Sequence, residues 1–223
     1  MNKNLIITLG ITCVSLALPQ KSEAATLNFS LGQMWDSSNV LIPENTVGIL
    51  VADITGSGFG SMETDLFNFD LNSTIDVTGG GSQTLIGTDF EVLSILSADS
   101  NNAFLTRSVS GIAYDDGLGA GDNLAFIWLP GLTSTGDSIT GGQSFGLITG
   151  LTGAQNGSGT DDFIIPGSPS DTVTFSFFST NIGGGLVPIV DFTADLNIAA
   201  IPEPTSIALL GLGSVALLLR RRR

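Results

Sequence analysis

Between Ala25 and Ala200 apolar and polar residues alternate one by one, and this period of two constrains the fold more than any other feature of the chain. Leu27, Phe29 and Leu31 are separated by polar or small residues, as are Phe67, Phe69 and Leu71. Val173, Phe175 and Phe177 alternate with Thr172, Thr174 and Ser176, and Phe192, Ala194, Leu196 and Ile198 alternate with Asp191, Thr193, Asp195 and Asn197. Successive side chains of a strand point to opposite faces, so such segments read as half-buried strands. Denser apolar runs read as central strands: 47–54, 90–96, 124–129 and 145–148, with one longer strand, or a strand with a bulge, over 103–114. No amphipathic helical period appears outside the two ends of the chain.

Glycine supplies the punctuation. Of the 29 glycines, 26 fall in this central region, many in clusters such as Thr55-Gly56-Ser57-Gly58, Gly79-Gly80-Gly81, Asn156-Gly157-Ser158-Gly159 and Gly183-Gly184-Gly185. Many short strands joined by tight turns predict an all-β domain of the β-sandwich or jelly-roll type, with phenylalanines filling the gap between two sheets. The segment 152–169 reads as a long surface loop, or as a link between two halves of the region; one domain is preferred.

Charge is sharply partitioned. The 223 residues hold 7 basic and 21 acidic side chains. Arg107 is the one basic residue between Ala25 and Ala200, against 19 acidic ones. Such a field repels phosphate backbones, so nucleic acid is excluded as a partner. There is no histidine, and Cys13 is the one cysteine.

These absences remove most catalytic constellations. Gly142-Gln143-Ser144-Phe145-Gly146 matches the G-x-S-x-G pattern of hydrolase nucleophiles. That chemistry needs a base, normally histidine, and the chain has none. Zinc sites built from His or Cys fall for the same reason. Carboxylates remain, and two of them facing each other across a cleft would suffice for a glycoside hydrolase. The loop Tyr114 to Asn123 gathers Asp115, Asp116, Asp122 and Asn123 among glycines, a donor set suited to calcium, though without the spacing of known calcium loops. A solvated turn capped by its aspartates is the competing reading. Asp161-Asp162 is a second, weaker candidate of the same kind. No cofactor is required by any of this.

The two ends carry addresses. Residues 1–24 combine Lys3, an apolar stretch from Leu5 to Leu18 and a small-x-small site at Ser22-Glu23-Ala24, the pattern of a secretory signal peptide. At about 1.5 Å per residue that apolar stretch reaches roughly 21 Å, short for a permanent crossing. At the other end, Thr205 to Leu219 is free of charge and is followed by Arg220, Arg221, Arg222 and Arg223. As a helix it spans about 22 Å, and the arginines would hold its tip on the cytoplasmic side as a stop signal. Pro202 and Pro204 favour extended backbone just before this run. The expected division is a leader over 1–24, the β domain over 25–200 and a tail over 201–223.

Ile201-Pro202-Glu203-Pro204-Thr205-Ser206, the apolar run with Gly211 and Gly213, and the terminal arginines together resemble the PEP-CTERM sorting signal of Gram-negative bacteria. Ile201 stands where that family usually has valine. The resemblance covers the last 23 residues and leaves the central domain unassigned. It implies that Pro202, Glu203 and Pro204 form a triplet recognised by exosortase, an integral-membrane transpeptidase-like enzyme. The precursor would then be anchored in the inner membrane before release to, or attachment at, the cell surface. It also implies association with exopolysaccharide and biofilm matrix. On this reading the domain is a secreted, non-enzymatic β-protein, with a carboxylate-based extracellular glycoside hydrolase as the alternative.

Overall fold

The computed structural model describes residues 24–75, 84–114, 117–150, 163–177 and 192–199. The leader, the C-terminal tail and the glycine clusters at 79–81, 156–159 and 183–185 lie outside these residues. Among the described residues nine strands form two sheets: β1 (Ala25–Gln33), β2 (Val47–Asp53), β3 (Leu85–Ile86), β4 (Phe90–Ser97), β5 (Ala103–Ile112), β6 (Leu124–Leu129), β7 (Ser144–Ile148), β8 (Thr172–Phe177) and β9 (Leu196–Asn197). The smaller sheet has the order β5-β1-β8 and the larger one β3-β4-β2-β6-β7-β9. The expected all-β class is therefore what the chain adopts.

Alternation explains which face each strand buries. Leu27 and Leu31 of β1, Phe104, Val109 and Ile112 of β5 and Phe175 of β8 turn inward. They meet Leu50 and Ala52 of β2, Leu93 of β4, Leu124, Phe126 and Trp128 of β6 and Ile148 of β7 in one core between the sheets. The Phe104 and Phe126 rings cross this gap edge to face at 4.8 Å. Trp128 donates its indole N–H across it to the Trp35 carbonyl at 3.3 Å. Gly48 lies beneath these phenylalanines; a methyl group there would stand 2.5 Å from Phe126 and 2.6 Å from Phe104.

The larger sheet is covered on its other face as well. Val47, Ile49 and Val51 of β2 pack there with Phe90, Val92, Ala125, Ile127, Leu129 and Phe145. A short helical stretch closes over them: the helix α1 (Met62–Asp65) between two single 3-10 turns at Phe59–Ser61 and Leu66–Asn68. Coverage on both faces is why β2 and β6 are buried at every position and read as continuous apolar runs. Phenylalanines are divided between the two cores instead of all filling the gap between the sheets.

Two sequence expectations are corrected here. Phe67, Phe69 and Leu71 do not form a strand; Phe67 lies in the second 3-10 turn and Leu71 in a following turn. Met62, Leu66 and Phe69 recur every three or four residues and are all buried, so the helical period governs this stretch. The segment 152–169 is not loop throughout. Its described part, 163–169, begins with Phe163 and Ile165, both buried, and is laced to β6 and its approach by backbone bonds from Leu124 to Phe163 and from Ile165 to Asp122.

The strand directions define two poles. At one lie the Asp99–Asn102 turn joining β4 to β5, the end of β6 and the start of β7. At the other lie the end of β2, the start of β4, the end of β5 and the start of β6. Ala25, where the mature chain is expected to begin, pairs with Ile112 at this second pole. Arg107, the one cation of the central region, donates to the Ser97 carbonyl at 2.7 Å and so ties β5 to β4 across the sheets.

Candidate functional site

The chain approaches its tail through a firmly held segment. Phe192, Ala194 and Ile198 are buried, but the expected single strand is only Leu196–Asn197, and Phe192 and Ala194 enter the core between the sheets while Ile198 enters the core on the other face of the larger sheet. Phe192 and Ala194 are locked to Trp35 by two backbone bonds of 2.9 and 3.0 Å. β9 then pairs antiparallel with β7, Leu196 opposite Phe145 and Asn197 opposite Ser144. The Ile198 N–H donates to the Gln143 carbonyl at 2.9 Å, and its carbonyl accepts from Gly142 at 2.8 Å. The Ala199 N–H donates to the Glu63 carbonyl on α1 at 2.7 Å. Ile198 is thus fastened to the turn before β7 at the first pole and the last described residue, Ala199, to α1, three positions before Pro202.

This geometry also accounts for the G-x-S-x-G match. Ser144 opens β7 beside Asn197, inside a ladder rather than on a strand-to-helix elbow. Gly142 has φ +86°, a conformation that turns before β7 and that glycine adopts without strain. Gly146 lies against the Trp128 indole, where a Cβ would stand 2.0 Å from the ring. Both glycines have structural work unrelated to a nucleophile.

Of the predicted calcium ligands, Asp115 and Asp116 lie outside the described residues, as do Asp161 and Asp162. Asp122 Oδ2 accepts from the Gly119 N–H at 2.7 Å and closes its own turn. Asn123 forms a bridge with Ile164, and its carbonyl accepts from Asp53 at 2.8 Å. Among the described residues no three His, Cys, Asp or Glu side chains come together as a metal centre would require. Tyr114, at the head of this loop, donates its hydroxyl to the Pro166 carbonyl. Burial, and then the negative charge of Asp171, raise its phenol above the ordinary tyrosine range.

Two buried carboxylates escaped the sequence reading. Asp53 ends β2 only 1% exposed. Its Oδ1 accepts from Thr55 N at 3.1 Å, Thr55 Oγ1 at 3.2 Å and Gly56 N at 2.9 Å, and its Oδ2 from Gly58 N at 2.7 Å. The signal was present in Asp53-Ile54-Thr55-Gly56-Ser57-Gly58: an aspartate before a glycine-rich turn folds that turn around its own oxygens. Glu91 is 3% exposed on β4 opposite Ala52. By strand parity it faces the core between the sheets, whereas Asp53 shares the other face with Val47, Ile49 and Val51.

Residues 200–223 match the family described as the PEP-CTERM protein-sorting motif. The chain carries a PEP-CTERM sorting signal. The match begins one residue beyond Ala199, the last described residue of the domain. It bears out the resemblance read from Pro202, Glu203 and Pro204, and it makes the protein an exosortase-dependent, exported one with a membrane-anchored precursor. The central domain matches no curated protein and no solved structure. Among the described residues no helix is long and apolar enough to cross a membrane; the PEP-CTERM run over 205–219 lies beyond them.

Proposed function

We propose that the β domain is a non-enzymatic surface or matrix protein, delivered by its leader and matured by removal of the PEP-CTERM tail. The observation that carries the sorting half is the match over 200–223 joined to a domain fastened up to Ala199. Pro202, Glu203 and Pro204 act as substrate residues for exosortase. Arg220 to Arg223 hold the tail tip on the cytoplasmic side until processing.

The non-enzymatic half is supported by what the carboxylates do. Asp53 spends both oxygens on its own loop. Glu91 lies on the opposite face of the same sheet, an arrangement unsuited to an acid and a base flanking one glycosidic bond. The described surface exposes one large apolar side chain, Val40 at 59%. A polar, acidic exterior of this kind suits a hydrated extracellular matrix, and exopolysaccharide is the ligand class the sorting signal suggests.

The test of sorting is the mass of the protein recovered from its host. Replacement of Pro202, Glu203 and Pro204 by alanine should leave a full-length, membrane-bound form, and normal maturation of that variant would refute the assignment. For the domain, retention of the mature protein on the host's exopolysaccharide, with no release of reducing sugar, is the expected pair of results.

A further inference from the structure

β5 runs along an open side of the sandwich. In the order β5-β1-β8 it has β1 on one flank, and among the described residues no strand pairs with the other. Ten residues of extended backbone with one free row of N–H and C=O groups are a template on which a further strand can add. Across the gap between the sheets lies β4, which β3 pairs only at Phe90 and Glu91.

Arg107 sits in the middle of this edge and points inward. β1 and β5 keep one register from Thr26 opposite Ser110 to Phe29 opposite Arg107. Arg107 therefore shares a face with Val109, which enters the core between the sheets opposite Leu27. Burial follows the same parity: Arg107 is half-buried, Ser108 exposed, Val109 buried and Ser110 exposed. The side chain lies over the margin of the core, and its guanidinium donates to the Ser97 carbonyl at 2.7 Å. Its Nε is buried without a hydrogen-bond partner. Among the described residues no carboxylate pairs with it, although the central region holds 19 acidic side chains.

We propose that the outer edge of β5 is a self-pairing surface for a second copy of this domain, and that Arg107 keeps it unpaired. The occupant follows from the edge itself. The same ten-residue edge is open in every copy, and two such strands laid antiparallel would join their three-stranded sheets into one of six. Ser108 and Ser110, exposed on the outer face, carry no charge to prevent this. Opposite residues in a ladder share a face. The registers of greatest overlap that keep both inner faces together set Arg107 opposite Arg107 or opposite Val109. Either register strips water from the guanidinium and leaves a charge and the buried Nε without a partner, and the first adds a like charge directly opposite. An inward charge on an edge strand blocks pairing in this way without any bulk on the outer face. The one cation between Ala25 and Ala200 thus stands where pairing would bury it.

The experiment is sedimentation equilibrium of the mature protein in about 0.5 M NaCl, where the Debye length is about 4 Å and net acidity does not by itself hold two copies apart. The parent should be monomeric, and so should Arg107→Lys, which keeps the charge. Arg107→Met keeps the apolar stem and removes the charge, and it should pair at least about a hundredfold more tightly than the parent, the order expected once no uncompensated charge is buried. Arg107→Gln, neutral yet still a donor, carries the same expectation if the methionine variant does not fold. Arg107→Glu loses the bond to Ser97 but retains an inward charge, so it should melt lower than the parent and stay monomeric. Ser108→Cys added to Arg107→Met should give disulfide-linked dimers on mild oxidation, because residue 108 lies opposite or diagonal to its own copy in these registers. Thr172→Cys on the same background, exposed on β8 at the far flank of the sheet, should not. A folded neutral variant that remains monomeric would overturn the proposal. Equal association of Arg107→Glu and Arg107→Met would refute it as well, since loss of the tie to Ser97 would then be the cause. Crosslinking at Thr172→Cys as readily as at Ser108→Cys would place the contact elsewhere and sink the assignment to β5.

Discussion

Gly146→Ala should destabilise the domain severely for a single methyl group. The substituted Cβ would stand 2.0, 2.1 and 2.3 Å from three atoms of the Trp128 ring, far inside contact distance. Trp128 cannot retreat easily. It is fully buried on β6, an interior strand, in the core between the sheets. Its N–H is committed to the Trp35 carbonyl, and Trp35 in turn holds Phe192 and Ala194. Overpacking of a filled core costs about 1–3 kcal/mol. Loss of the indole hydrogen bond adds roughly 1 kcal/mol. A total of about 2–4 kcal/mol corresponds to a fall in Tm on the order of 5–15 °C for a domain of this size. Thermal unfolding of the mature protein, followed by tryptophan fluorescence and near-ultraviolet circular dichroism, measures it. Ser144→Ala in parallel should change stability by less than about 0.5 kcal/mol, as a substitution that removes no bond described for that side chain. Equal melting of Gly146→Ala and the parent would refute the packing account and reopen the G-x-S-x-G motif to another explanation.

Other outcomes follow from the same structure. Asp53→Ala strips four hydrogen bonds from the 55–58 loop and should cost about 2–3 kcal/mol by denaturant unfolding, since the loop N–H groups lose a buried acceptor; an unchanged midpoint would show that the loop holds itself. Tyr114 is the one tyrosine in the chain, so absorbance near 295 nm titrates it alone. Its phenol should ionise above pH 10 in the native protein and near the ordinary value in urea. Because the folded-state value is raised, the stabilisation is complete below the unfolded pKa and is lost as pH rises through the folded one. Native ionisation at or below pH 10 would contradict the burial described for this group. Millimolar calcium should raise the Tm if Asp115, Asp116, Asp122 and Asn123 coordinate the ion, and an unchanged Tm removes calcium from consideration.

Much of this fold is legible in side-chain period. The runs at 47–54 and 124–129 are dense because β2 and β6 are covered on both faces; the alternation over 192–198 marks burial but not one strand face, since Phe192 and Ala194 enter the core between the sheets and Ile198 the core on the other side of the large sheet. Phe67, Phe69 and Leu71 misled because a spacing of two over five residues is also compatible with a helical turn that buries Leu66 and Phe69. β3, two residues long, is too short to carry a period at all. Glu91 is illegible as a buried group because acidic residues ordinarily face water and only its place in the sheet takes it inside, whereas Asp53 carries a local signal in the glycine-rich turn that follows it.

The sorting signal belongs wholly to the sequence. A triplet, an apolar run and a cationic end act through their order along one continuous stretch of sequence, so no long-range contact is needed to specify them. What only the tertiary structure decided is where that segment is fastened. The bonds from Ala199 to Glu63 and from Ile198 to Gln143 join residues far apart in the chain, and no local pattern encodes such a pairing. The same holds for the second covered face of the large sheet. Period tells a strand which side to bury, but which partner buries it depends on how distant segments come together.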